Sequence, residues 1–178
     1  GALDIGRLNM VEFAYGLTGH NEIIGNVLNP ISPKHITGGS SSGPAAAVSG
    51  NLSYGSLGSD TGGSIRFPAS CCGIVGMKPT YGLVSRFGAM PLSFSMDHIG
   101  PLTRTVTDCA LLTQVISGPD ENDPSSLKNH KHNYIENIES GINGIKIGFP
   151  RTNFIDQVDG EVLREMKKSL EVFRVLGA

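Results

Sequence analysis

The clearest periodic pattern lies near the C-terminal end. Leu163, Met166, Leu170 and Phe173 fall on one helical stripe, with charged residues between them. Asp159 stands where a helix N-cap belongs and Gly177 where a helix stops, so the pattern predicts a helix over 161–176. A second amphipathic helix is predicted over 105–116. Thr105 caps it, Asp108 completes a capping-box-like spacing and Gly118 terminates it. A third is predicted from Pro44 to about Ser49, with Pro at its first position and alanines after it. Its small side chains suit close packing. Lys146-Ile147-Gly148-Phe149 reads as a strand, and Gly1 to Arg7 reads as the middle of a strand region. Asn29 to His35, with two prolines, reads as a turn. The polar stretch 117–143, with Pro119 and Pro124, reads as surface loop with room for one short helix. Strand, loop and helix in alternation favour the α/β class. There is no internal repeat.

Composition narrows the field. The net charge of −2 gives no electrostatic reason to expect nucleic acid or an anionic membrane as a partner. No apolar run approaches the roughly 18 residues of a membrane span, and no signal peptide is visible. Cys71, Cys72 and Cys109 are few and odd in number, unlike a disulfide framework, so a reducing, cytoplasmic setting is expected. Cys71 and Cys72 read as small buried hydrophobes. At 178 residues the chain is long enough for one domain with a real core.

The candidate chemistry lies between Gly38 and Ala69. Two serine-glycine loops, Gly38-Gly39-Ser40-Ser41-Ser42-Gly43 and Gly58-Ser59-Asp60-Thr61-Gly62-Gly63-Ser64, are joined by a run of small residues and followed by Ile65-Arg66-Phe67-Pro68-Ala69. A flexible linker is not interleaved with Ala, Val and Leu in this way. A serine hydroxyl becomes a nucleophile when a base takes its proton. The oxyanion it creates needs preorganised donors, most simply backbone N–H groups. Thr61, Gly62, Gly63 and Ser64 can supply them, and the paired glycines let the backbone turn sharply and a substrate come close. Ile65 and Ala69 are expected to be packed.

Gly38 to Ala69 resembles the full signature of the amidase signature family of serine hydrolases. The similarity extends to Asn9–Gly16, Lys78–Arg86 and Ser95–Pro101. The resemblance implies a mixed β-sheet core flanked by α-helices, and a Ser-Ser-Lys apparatus that needs no metal or cofactor. By motif position Ser64 is the acylated nucleophile. Ser40, which the family holds on a cis peptide bond, relays its proton to a neutral lysine. Thr61 to Ser64 form the oxyanion hole. Ser41, Asp60 and Arg66 support the loops, with Asp60 and Arg66 pairing or bonding the loop backbone. The family's lysine lies well before the first loop. Lys34 is too close to that loop, and Lys78 falls after the nucleophile. Residues 1–178 are therefore expected to be a partial amidase signature domain, truncated at both ends and inactive by itself.

Other readings compete with this one. Gly39-Ser40-Ser41-Ser42-Gly43 satisfies the nucleophile-elbow pattern with Ser41 as nucleophile, but the elbow needs a strand directly before it, and 29–35 has none. Asp97-His98 has the residues of a triad, yet neighbours in sequence do not face each other as acid and base. His130-Lys131-His132 reads as solvated loop. Tyr15 and Tyr81 line a pocket or pack in the core. Three functions follow: an amidase acting on a small-molecule carboxamide, the glutaminase subunit of a tRNA-dependent amidotransferase, or a catalytically inactive scaffold. The partners left open are a second copy or amidotransferase subunits. Neither nucleic acid nor membrane is expected to bind this segment directly.

Overall fold

The computed structural model describes residues 3–128, 132–150, 152 and 154–178. The chain divides into two compact units, Gly1–Glu136 and Asn137–Ala178. In the first, the order is α1 (Ser42–Ser49), β1 (Gly55–Asp60), α2 (Arg66–Cys71), β2 (Val75–Gly76), β3 (His98–Thr103) and α3 (Val106–Ile116), after a 3-10 turn at Glu12–Ala14. The strands form one sheet in the order β1-β3-β2, with both pairings antiparallel. The register runs from Gly55 opposite Thr103 to Asp60 opposite His98.

The core is small and built from short side chains. Ala45 of α1, Ile65, Ala69 of α2, Cys72 and Leu102 of β3 form one buried cluster, with Ile74 against it. Ile65 and Ala69 are packed as expected. Burial of a residue such as Ile65 contributes about 2–3 kcal/mol. Pro44 and Pro68 each sit at the third residue of their helix, inside the first turn, where no intrahelical N–H bond is lost. Helix α1 thus starts two residues before Pro44. Arg104 donates to the carbonyls of Val48 and Ser53 and holds the end of α1.

Helix α3 follows its expected cap: Thr105 Oγ1 accepts from the Asp108 N–H at 3.1 Å. The box is closed differently, because the Thr105 hydroxyl also donates to the Asp108 carboxylate at 2.7 Å. The stretch 117–143 holds no helix among the described residues. Asp120 accepts from the Asn122 N–H and Asp123 from the Ser125 N–H, and such local bonds compete with helix. Of the triplet His130-Lys131-His132, read from sequence as solvated loop, His130 and Lys131 lie outside the described residues.

The second unit contains a 3-10 turn at Ile155–Gln157 and helix α4 (Gly160–Val175). Asp159 caps α4 by accepting from the Glu161 N–H at 2.8 Å, and Gly177 takes φ +92° just past its end. The expected strand at 146–149 does not form. The described residues of this unit contain no strand to pair with it, and an apolar run without a ladder partner is not a strand. The strand expected near the start fails for a local reason. Gly1 and Ala2 lie outside the described residues, while the Asp4 carboxylate accepts from the Gly6 N–H and from Arg7, turning the backbone.

Candidate active site

Antiparallel pairing of β1 with β3 delivers the second serine-glycine loop to the end of the sheet, and α1 delivers the first. Two glycines let the loops meet. Gly38 adopts φ +78°, and a Cβ there would lie 2.7 Å from the Pro68 backbone. A Cβ on Gly58 would lie 2.6 Å from Ser41 Oγ. Ser41 is the clasp between the loops. Its N–H donates to the Ser64 carbonyl at 3.2 Å. Its hydroxyl donates to the Ser59 carbonyl and accepts from the Ser59 N–H at 3.1 Å. Ser41 occupies the N-cap position of α1 without capping it, because its side chain is committed across the loops. No strand precedes the first loop among the described residues, so the elbow context is absent.

Ser40 is fully buried, and its peptide bond to Gly39 is cis, as the resemblance implied. Its hydroxyl has no hydrogen-bond partner among the described residues. Ser64 is 8 % exposed. Buried polar atoms without partners are uncommon and call for a chemical explanation.

Asp60 organises the turn around Ser64. It is fully buried and accepts from the N–H groups of Gly63 at 2.8 Å, Ile65 at 3.1 Å and Arg66 at 3.3 Å. Arg66 adds a bidentate pair through Nε at 3.0 Å and Nη2 at 2.9 Å. Burial pushes the Asp60 carboxyl up, but the Arg66 side chain, the Ile65 and Arg66 N–H groups and the Arg66 charge outweigh it and hold the carboxyl below its ordinary range. The expected pairing of Asp60 with Arg66 is thus present. It narrows the expected oxyanion donors, because the Gly63 N–H is taken by Asp60. Thr61, Gly62 and Ser64 keep N–H groups without an acceptor among the described residues. A Cβ on Gly62 would meet nothing within 4 Å, so the space before it is open.

Asp97 is not a triad acid. It accepts from the Thr61 hydroxyl at 2.5 Å, across 36 positions of sequence that periodicity does not link. His98 Nδ1 meets the Asp60 carbonyl at 3.1 Å, so Asp97 and His98 do not work as a pair. A cavity of about 520 Å³ opens beside Thr61, lined by Tyr81, Phe87, Leu92, Phe94 and Asp97 among others. Tyr81 lines this cavity; its hydroxyl donates to the Phe94 carbonyl, and the Arg86 guanidinium lies 4.5 Å from its ring centre. Tyr15 is 79 % exposed, so it is not a core residue. All three cysteines are free thiols. Burial, and then neighbouring Cys71, push Cys72 up to about 11, which makes it inert as a nucleophile near neutral pH. Among the described residues no helix is long and apolar enough to cross a membrane.

This geometry can be set beside known proteins. The family model described as Amidase matches residues 1–178. An A-type glutamyl-tRNA(Gln) amidotransferase subunit of Clostridium acetobutylicum is 49% identical over 178 residues, which is 99% of this chain and 37% of that protein. The crystal structure of the A-type glutamyl-tRNA(Gln) amidotransferase subunit from Thermotoga maritima is similar with a TM-score of 0.93 and 43% identity, over 97% of this chain and 38% of that one. Native peptide amidase from Stenotrophomonas maltophilia is similar with a TM-score of 0.88 and 35% identity, over 97% of this chain and 37% of that one. The chain spans little more than a third of the length of these relatives. With the family model matched along the whole chain and the two loops clasped as described, the chain belongs to the amidase family, and its fold is the amidase signature fold.

Proposed function

We propose that the 178 residues are part of a larger amidase signature domain that hydrolyses a carboxamide through an acyl-enzyme on Ser64. One observation carries this reading: the Ser41 N–H to Ser64 carbonyl bond places the buried, unpartnered Ser40 hydroxyl one residue from the contact between the two loops. Ser64 Oγ attacks the amide carbon. Its proton passes through Ser40 to a neutral lysine amine, while the N–H groups of Thr61, Gly62 and Ser64 receive the oxyanion. Collapse of the tetrahedral intermediate breaks the C–N bond, and the leaving nitrogen takes the proton. Water then attacks the ester and releases the acid. Arg66 and Asp60 hold the turn, and no metal or cofactor enters the scheme. None of the described lysines bonds Ser40, so the 178-residue chain alone is expected to turn over little amide. Burst kinetics from it with an activated ester would overturn that expectation.

Ser64→Ala in the whole protein is expected to lower kcat on the order of 10⁴-fold or more. Turnover near wild type would refute the assignment. Ser40→Ala is expected to cost less, since water can partly replace a relay but not a nucleophile; an equal or larger loss would reverse the two roles.

A second reading is favoured by the relatives whose names make them A-type subunits of an amidotransferase. The same chemistry then releases ammonia from glutamine inside a complex with other subunits. Comparing kcat/KM for glutamine and for a simple apolar carboxamide separates the two: glutamine preferred supports the amidotransferase reading, and the apolar amide preferred supports the free amidase.

A further inference from the structure

We infer that Asp97 is a positioning residue for the oxyanion-binding turn, an inference that rests on the acyl-enzyme reading above. The ladder between β1 and β3 ends at the Asp60–His98 pair. Thr61, the first residue beyond it, has no ladder partner, yet its N–H is one of the three open donors. Asp97 is the next residue on the opposite side and replaces the missing ladder with its side chain, accepting from the Thr61 hydroxyl at 2.5 Å.

The same carboxylate is anchored from a second direction. Asp97 Oδ2 accepts from the N–H groups of Leu92 at 2.8 Å and Ser93 at 2.9 Å, and Oδ1 accepts from Ser93 at 3.0 Å. The residue is only 9 % exposed. Asp97 therefore ties the donor turn to the wall of the 520 Å³ cavity that Leu92 helps to line. Asp60 fixes the turn from its other end through Gly63, Ile65 and Arg66. Two buried carboxylates thus hold a turn whose donors must be kept within roughly 0.5 Å of the productive geometry. Asp97 touches no reacting atom; it acts through Thr61.

The test uses the whole protein, with each variant's active-site concentration measured by acylation with an activated ester. Thr61→Val removes the hydroxyl and leaves the Leu92 and Ser93 bonds intact. It is expected to lower kcat per active site about 10- to 100-fold, with KM changing less than about threefold, because only transition-state stabilisation is lost. Thr61→Ser restores the hydroxyl and is expected to recover at least about tenfold over Thr61→Val. Asp97→Asn keeps one acceptor oxygen but turns an NH2 toward the Leu92 and Ser93 N–H groups. Combined with Thr61→Val it is expected to be no slower than the slower single variant, because both act along the one tie from Leu92 and Ser93 through Asp97 to Thr61. Thr61→Val at wild-type kcat, or losses that multiply in the double variant, would overturn the inference. If Ser64→Ala retains turnover in the same assay, the acyl-enzyme reading falls and takes this inference with it. If Ser64→Ala is inactive and Thr61→Val is normal, only the inference falls.

Discussion

The loops around Ser64 and helix α4 are held together by opposite means. In the loops, the bonds that matter join residues far apart in sequence: Ser41 to Ser59, Thr61 to Asp97, Asn29 Nδ2 to the Cys71 carbonyl. Two of these three are made to backbone carbonyls, and all three are partly buried. In α4 the charged pairs are local and exposed: Glu161 with Arg164, Glu165 with Lys168, Glu171 with Arg174, each three positions apart. No residue of α4 is buried within the described structure. The lesson is that a helix of this kind carries its instructions in a local stretch, whereas the turn around Ser64 exists only when distant segments have already met.

That contrast predicts a graded series. Asp60→Ala should have the largest effect on stability, about 4 kcal/mol, because it leaves three backbone N–H groups and a guanidinium without their acceptor. Denaturant unfolding of the whole protein measures it; a loss under about 1 kcal/mol would show that the turn does not depend on this residue. The same residue gives the fold an acid limit. Its folded pKa lies below the ordinary value near 4, so its contribution is present above that value and is lost as pH falls through the folded pKa. In a pH series Asp60→Ala should flatten the stability decline on the acid side of about pH 4, and an unchanged decline would assign it to other carboxyls.

Arg66→Met should cost less, about 2 kcal/mol. The carboxylate keeps its three backbone donors, and the arginine side chain is already 52% exposed. A larger loss than for Asp60→Ala would invert the roles. Asp159→Ala removes the cap of α4 and should cost about 1 kcal/mol. Its signature is local: circular dichroism of a peptide covering 157–178 should lose helicity, and an unaltered spectrum would show that the cap is not what starts the helix. Lys168→Ala breaks only a surface pair and should change stability by less than about 0.5 kcal/mol. A change comparable to Arg66→Met would erase the distinction between the two regions.

Helices α3 and α4 were legible because their signals are short in range. A cap, an apolar stripe and a terminating glycine all act within one or two turns, so Thr105, Asp159 and Gly177 could be read in place. The serine loops were legible for another reason: their pattern is specific enough to mark a family before any fold is known. What the sequence did not disclose is how those loops are held. Strand β1 is Gly55-Ser56-Leu57-Gly58-Ser59-Asp60, which has almost no strand propensity; its ladder with β3 makes it a strand. Conversely 146–149 has strand character and no ladder partner among the described residues. Asp97 was visible, but its contact with Thr61 spans 36 positions, and no local rule selects that acceptor. The bond from the Gly63 N–H to Asp60 was equally hidden, because it follows from where Asp60 points once Arg66 is paired. By itself, then, the sequence determined helix limits and the family's serine pattern. Only the tertiary structure decided which carboxylate holds which end of the turn, because hydrogen bonds between distant segments depend on register and burial that the chain acquires only on folding.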